Sequence, residues 1–377
     1  MIILNLKLNN IYSFKNFEVN FSYPKKLSNS LISNESLKGI PSFRYKKLNL
    51  IIGPNACGKT SLIKAIWGTL LFLSRGDKGY FLSMTNQNAN NANIEIDFVA
   101  DDFLYRVKVD LKRTSNQFSQ SINEVIVAFN KLELRQKDSY ENKCEALDKL
   151  SYTFKDYREA IEELNVRIGC RAILPATEES FDTIQFMQLS KADEEDYIDI
   201  LFKVLNTLDP SISNVFKSRD SDDAYVIAHE NNQRIILQEG NPISSIQTLS
   251  SGTKYGVNIA NMMYSIKHHL NGIYLVDEQF SYVNSDVEAA ILSTMVSMLG
   301  ENEQIFFTSH NSSILALSLP LHSLYFMKKD IIDGKSNITI DCASVYENRN
   351  NVSAKNMFDN DAFGTSPKLD KIYNIGD

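Results

Sequence analysis

Apolar and polar positions alternate over residues 2–8 and again over 17–21, the period of two expected of half-buried strands. Residues 23–45, rich in Ser, Asn, Lys and Pro, break the alternation and predict a loop. The apolar run Leu48-Asn49-Leu50-Ile51-Ile52 predicts a buried strand, and 61–67 has helical character. An amide-rich stretch, 83–93, shows no apolar period and predicts a second loop. Alternation then resumes: Ile94, Ile96 and Phe98 share one strand face, and 104–111 and 125–129 continue the pattern. Their spacing predicts an antiparallel meander over 94–134. Ile198, Leu201, Phe202, Leu205 and Leu208 recur at helical spacing and predict a helix over 191–208, while 225–228 and 234–237 read as a hairpin. Beyond 246 the units alternate: a helix at 253–270, an apolar strand at 272–276, a helix at 285–299, an apolar strand at 304–308. Buried strands alternating with helices imply a parallel sheet covered on both faces.

Four short segments lie at the ends of these elements. Between the first apolar strand and its helix stands Gly53-Pro54-Asn55-Ala56-Cys57-Gly58-Lys59-Thr60. A strand feeds it and a helix leaves it, the setting in which glycines let successive N–H groups turn inward on phosphate. The helix N-terminus adds partial positive charge, Lys59 can reach the outer phosphates, and the Thr60 hydroxyl can sit on Mg²⁺. Ile273-Tyr274-Leu275-Val276-Asp277-Glu278 is an apolar strand ending in two carboxylates at the sheet's carboxyl edge, where α/β ligands bind. Asp277 is expected on Mg²⁺ and Glu278 as the general base on a water. The polar turn Leu249-Ser250-Ser251-Gly252-Thr253 opens a helix and makes a second anion site, which suggests that two protomers contribute to one nucleotide. Thr308-Ser309-His310-Asn311 follows the next buried strand, and His310 can contact a terminal phosphate.

Composition narrows the class. A 377-residue chain with 43 % apolar residues can bury a large core or two. The net charge of −7 argues against a surface that coats nucleic acid, without excluding a local basic groove. Cys57, Cys144, Cys170 and Cys342 have no paired spacing and read as reduced thiols of a cytoplasmic protein. No membrane-length apolar run or signal peptide is evident. Cys57 has two readings: a thiol made acidic by the helix N-terminus and Lys59, or a small residue that merely packs.

In chain order, 53–60, 249–253, 275–278 and His310 resemble the Walker A, signature, Walker B and switch-histidine motifs of the ABC-type ATPase class that includes SMC, RecF and OLD-family heads. The chain more closely resembles the compact ATPases of bacterial abortive-infection and anti-phage systems, whose opening segment is similar to Asn10-Ile11-Tyr12-Ser13-Phe14-Lys15-Asn16-Phe17 and whose post-histidine strand is similar to 324–330. The resemblance implies an α/β P-loop NTPase of ABC type, a mixed sheet with helices on both faces plus an inserted, largely helical lobe. Residues 1–130 and 236–377 would form the head and 131–235 the lobe. It implies ATP and Mg²⁺ as ligands. Asn55, Gly58, Lys59, Thr60, Ser61, Ser250, Ser251 and Gly252 would bind ATP, Thr60 and Asp277 the metal, and Glu278, His310 and Lys59 would serve catalysis. It implies a homodimer or larger assembly through the ATP sites and a separate effector protein. A DNA-clamping or repair ATPase, with nucleic acid as partner, and an ATP-binding scaffold with little turnover remain the alternatives. Departures are Cys57, where Ser, Gly or Ala is more usual, Tyr12 at an often basic position, and 279–284 in place of a Pro-containing turn.

Overall fold

The computed structural model describes residues 1–25, 32–115, 121–174, 184–241, 249–250, 253, 255–278, 280, 283–332, 335–347, 352–365 and 375. Its centre is a six-stranded sheet in the order Cys170–Ile173, Ile273–Asp277, Gln304–Ser309, Leu48–Ile52, Leu324–Ile332, Lys335–Cys342. The first five strands run parallel, and the last turns back antiparallel as a hairpin. Leu48–Ile52 and Ile273–Asp277 are buried at every position, which explains why they read as continuous apolar runs rather than alternating ones.

One face of this sheet carries Leu50, Val276, Phe307 and Phe326. It packs against the helices Lys191–Leu208, Gly256–Lys267 and Ser285–Met298 and the small antiparallel sheet of Ile212–Lys217, Ala224–His229 and Arg234–Gln238. The opposite face, with Ile51, Leu275 and Phe306, covers the helix Lys59–Arg75. That helix is buried nearly all round because its other side meets a second six-stranded sheet. This sheet is antiparallel: Phe17–Asn20, Ile2–Asn9, Asn91–Ala100, Phe103–Ser115, Ser121–Glu133 and Lys155–Asp156. The helix stops at Gly76, whose left-handed φ of 66° lets its N–H reach the Phe72 carbonyl. Among the described residues no helix is long and apolar enough to cross a membrane.

The helix at 191–208, the hairpin of the small sheet and the meander lie where the periodicity placed them. Two predicted loops do not. Within 23–45, Ile40–Arg44 pairs with Ser36–Leu37, because Phe43 and Tyr45 are needed to cover the outer face of the meander, against Leu4 and Val99. The loop predicted over 83–93 is shorter: it runs over 85–90, between the helix Lys78–Met84, capped by Asp77, and the next strand. The next strand starts at Asn91, since backbone pairing with Phe103–Ser115 does not depend on side-chain period. The segment 131–235 carries the helices Tyr140–Asp148, Tyr157–Leu164 and Lys191–Leu208. It also carries strands, and Cys170–Ile173 is the edge of the central parallel sheet itself.

Candidate nucleotide-binding cleft

The three middle parallel strands end together. Register pairs Asp277 with Thr308 and Thr308 with Ile51, so the loop after Ile52, the acid pair and the histidine loop leave one edge side by side. A cleft of about 470 Å³ opens there. Asn55, Gly58, Lys59, Thr60, Ser61, Glu278 and His310 line it, all residues singled out from the sequence. Ser13, Ala56, Lys329 and Ile338 line it as well and were not foreseen. Ser13 lies in the opening loop, and Lys329 and Ile338 face each other across the terminal hairpin. The sequence drew attention to the runs holding Ser13 and Lys329 but assigned no role to either residue.

The loop is shaped for close approach. Gly58 has φ 113°, and a Cβ there would meet Ile338 at 3.2 Å. A Cβ on Gly53 would come within 2.3 Å of the Met327 carbonyl oxygen. Lys59 is 3 % exposed, and its ammonium donates to the carbonyls of Gly53 at 2.7 Å and Pro54 at 3.2 Å and pairs with Glu278 Oε1 at 2.8 Å. The cation expected from the sequence to meet phosphate and the carboxylate expected to meet water therefore rest on each other. Glu278 is held in the left-handed region at φ 44°, and its N–H donates to Thr308 Oγ1 at 3.0 Å. The Thr308 hydroxyl donates in turn to Asp277 Oδ1 at 2.6 Å. Thr308, to which the sequence assigned no role, thus ties both acids to the neighbouring strand.

Asp277 is fully buried, and burial pushes its carboxyl above the usual range; hydrogen bonds from Thr308 and Thr60 and the charge of Lys59 work against that shift. The Thr60 side chain therefore meets Asp277 behind the cleft, giving a hydroxyl and a carboxylate as hard oxygen donors at one point. His310 is exposed on the cleft wall. Ser250 is exposed and does not line the cleft of its own chain; its Oγ accepts from the Thr253 N–H at 3.1 Å and lies 2.6 Å from the Thr253 hydroxyl. Ser251 and Gly252 lie outside the described residues.

Cys57 separates its two readings. It is 1 % exposed, and burial pushes its thiol up, with Lys59 only partly offsetting it. The thiol packs against Gly53, where an added Cβ would sit 2.8 Å from Sγ. Desolvation of the thiolate outweighs the nearby positive charge, so the packing reading holds and the acidic-thiol reading does not.

Residues 48–316 match the protein family described as "AAA domain, putative AbiEii toxin, Type IV TA system", well over half of the chain. The chain belongs to this family. It is an ATPase domain of ABC type, and the matched region runs from the first residue of the loop-bearing strand to just past the histidine loop, spanning all four motifs. Among solved structures, the SMC head domain from Thermotoga maritima is similar at 15 % identity, over 90 % of this chain and 98 % of that one, with a TM-score of 0.41. An SMC head bound to the C-winged helix domain of ScpA matches at 14 % identity over 91 % and 98 %, TM-score 0.46. An SMC head with an extended coiled coil, bound to the C-terminal domain of ScpA derived from Pyrococcus furiosus, matches at 11 % identity over 91 % and 97 %, TM-score 0.45. No curated protein matches the chain.

Proposed function

We propose that this ATPase domain binds Mg·ATP in the cleft and hydrolyses it, that a second copy docked head to tail completes each site, and that a separate effector reads the nucleotide state in cytoplasmic anti-phage defence. The observation that carries the reading is the convergence of Lys59, Thr60 against Asp277, Glu278 and His310 at the ends of three adjacent parallel strands. The glycine cradle, where side chains would collide with Met327 and Ile338, fits a polyphosphate pressed against bare backbone. The donors Thr60 and Asp277 fit Mg²⁺, which would neutralise charge on the phosphate oxygens.

In this reading Lys59 leaves the Gly53 and Pro54 carbonyls and Glu278 for the outer phosphates. Glu278, released from Lys59 but still anchored through its N–H to Thr308, accepts a proton from the attacking water. His310, which lines the cleft, contacts the terminal phosphate. The signature serine Ser250, which does not line the cleft of its own chain, serves the cleft of the other protomer. The family description, which names a toxin of a toxin–antitoxin system, supports placing the chain in defence.

A second reading, an ATP-binding scaffold with little turnover, draws on the same ion pair, because a base committed to Lys59 is idle. Steady-state phosphate release and equilibrium nucleotide binding, measured on the same protein, separate the two. Turnover that depends on Glu278 supports the ATPase; tight binding with no turnover supports the scaffold.

A further inference from the structure

His310 faces the cleft, but what holds it lies outside. The residues on either side of it are gripped by a single carboxylate. Glu288, on the helix Ser285–Met298 and 4 % exposed, accepts from the Ser309 hydroxyl at 2.7 Å through Oε1 and from the Asn311 amide at 2.9 Å through Oε2. Ser309 Oγ accepts from the Asn311 N–H at 2.9 Å, which closes a ring of hydrogen bonds around the His310 backbone. Asn311 Oδ1 accepts from the Ser313 N–H and so fixes the start of the next short helix.

A buried carboxylate needs a cation or filled lone pairs to be tolerated. Among the described residues Glu288 makes no ion pair, and its two donors come from the histidine loop alone. Burial accordingly pushes its carboxyl up, and Asn311, Ser309 and the charge of His310 offset this only in part. An apolar side chain would fill the space at lower cost, so the retained acid marks a demand for orientation. The same helix begins at the cap Asn284, six residues after Glu278. Glu288 thus bridges the segment that follows the acid pair and the segment that presents the histidine.

We propose that Glu288 is a positioning residue, which sets the orientation of His310 toward the terminal phosphate and couples the helix after the acid pair to the cleft. This rests on the reading of the cleft as an ATP site. A glutamine at this position keeps the shape but has one acceptor oxygen: with that oxygen on the Asn311 amide, its NH2 must donate to Ser309 Oγ, so the Ser309 bond reverses and both charge-assisted bonds are lost. The weakened grip would loosen the loop, and misalignment is expected to cost ~10- to 100-fold in a step that depends on alignment.

The test is a double-mutant cycle on turnover with wild type, Glu288→Gln, His310→Ala and the double variant. The expected result is a kcat lowered ~10- to 100-fold by Glu288→Gln, KM within about twofold, and no further loss from Glu288→Gln once His310 is alanine. Losses that multiply in the double variant, a raised KM with kcat intact, or wild-type turnover in Glu288→Gln would each overturn the role. Should Glu288→Gln fail to fold, Ser309→Ala removes one of the two donors and is expected to show the same non-additivity with His310→Ala. Nucleotide binding by Lys59→Ala in the same series separates two failures. Retained binding overturns the reading of the cleft. Lost binding, with Glu288 and His310 acting independently, overturns the positioning role alone.

Discussion

At the scale of single residues, the pair between Lys59 and Glu278 would link binding to chemistry under the proposed function. Lys59 spends its three donors on Gly53, Pro54 and Glu278, and a nucleotide must replace at least the last of these. Lys59→Ala removes the cation proposed to face the outer phosphates and is expected to abolish ATP binding in a fluorescence or calorimetric titration. Glu278→Gln cannot take the water's proton and is expected to slow phosphate release ~10²- to 10⁴-fold. A glutamine also holds Lys59 less firmly than a carboxylate, so binding of a non-hydrolysable ATP analogue should be at least as tight as in wild type. Wild-type turnover in Glu278→Gln would remove that residue from the mechanism. Cys57 leads to the opposite of what its neighbours suggest: because its thiol is buried and pushed up, alkylation of the folded protein should be slow, and Cys57→Ala should keep its ATPase activity. Rapid loss of activity on alkylation in wild type, spared in Cys57→Ala, would show that the loop opens enough to expose it.

At the scale of elements, the helix Lys59–Arg75 is wedged between two sheets, so the loop at its N-terminus cannot drift relative to the strand ends around it. The signature helix is fixed in another way: Gly256 lies so close to Lys191–Leu208 that a Cβ would sit 2.5 Å from Leu205. Ser250, before this helix, is exposed and does not line the cleft of its own chain, which suits a contact made in trans. Ser250→Arg, in a Glu278→Gln background that preserves bound ATP, is therefore expected to block ATP-dependent association while leaving monomer binding nearly unchanged. Light scattering with and without ATP reads this directly, and equal association of Ser250→Arg and its parent would eliminate the in-trans role. The strands that were not foreseen show why elements are only partly legible. Ile40–Arg44, within a predicted loop, and Cys170–Ile173, within the expected helical segment, carry no apolar run or alternation and exist because a neighbouring strand offers unpaired backbone groups.

At the scale of the whole molecule, buried charge sets how stability varies with pH. Lys46 is 5 % exposed, with its ammonium 2.8 Å from the Tyr325 hydroxyl and over that ring. Burial pushes its amine below the ordinary value of 10.5, with Cys342 and Glu35 opposing. The unfolded chain therefore holds this proton more tightly than the folded one, and stability falls as pH drops from 10.5 through the folded value. Lys46→Met removes the titration, so the melting temperature of wild type relative to Lys46→Met should rise between neutral pH and about pH 10. A gap that does not change with pH would contradict the assignment. The sequence by itself determined the contiguous parts of the protein: the loop 53–60 between its strand and helix, the acid pair ending an apolar strand, the meander and the helix at 191–208. These are local because phosphate binding uses consecutive backbone N–H groups and because burial on one or two faces writes a period into neighbouring residues. Only the tertiary structure decided which distant groups meet: Thr308 on both acids, Lys329 and Ile338 across from Gly58, Glu288 under the histidine loop, and Lys59 resting on Glu278. Such contacts join residues tens to hundreds of positions apart through side-chain hydrogen bonds and desolvation, neither of which leaves a period along the chain.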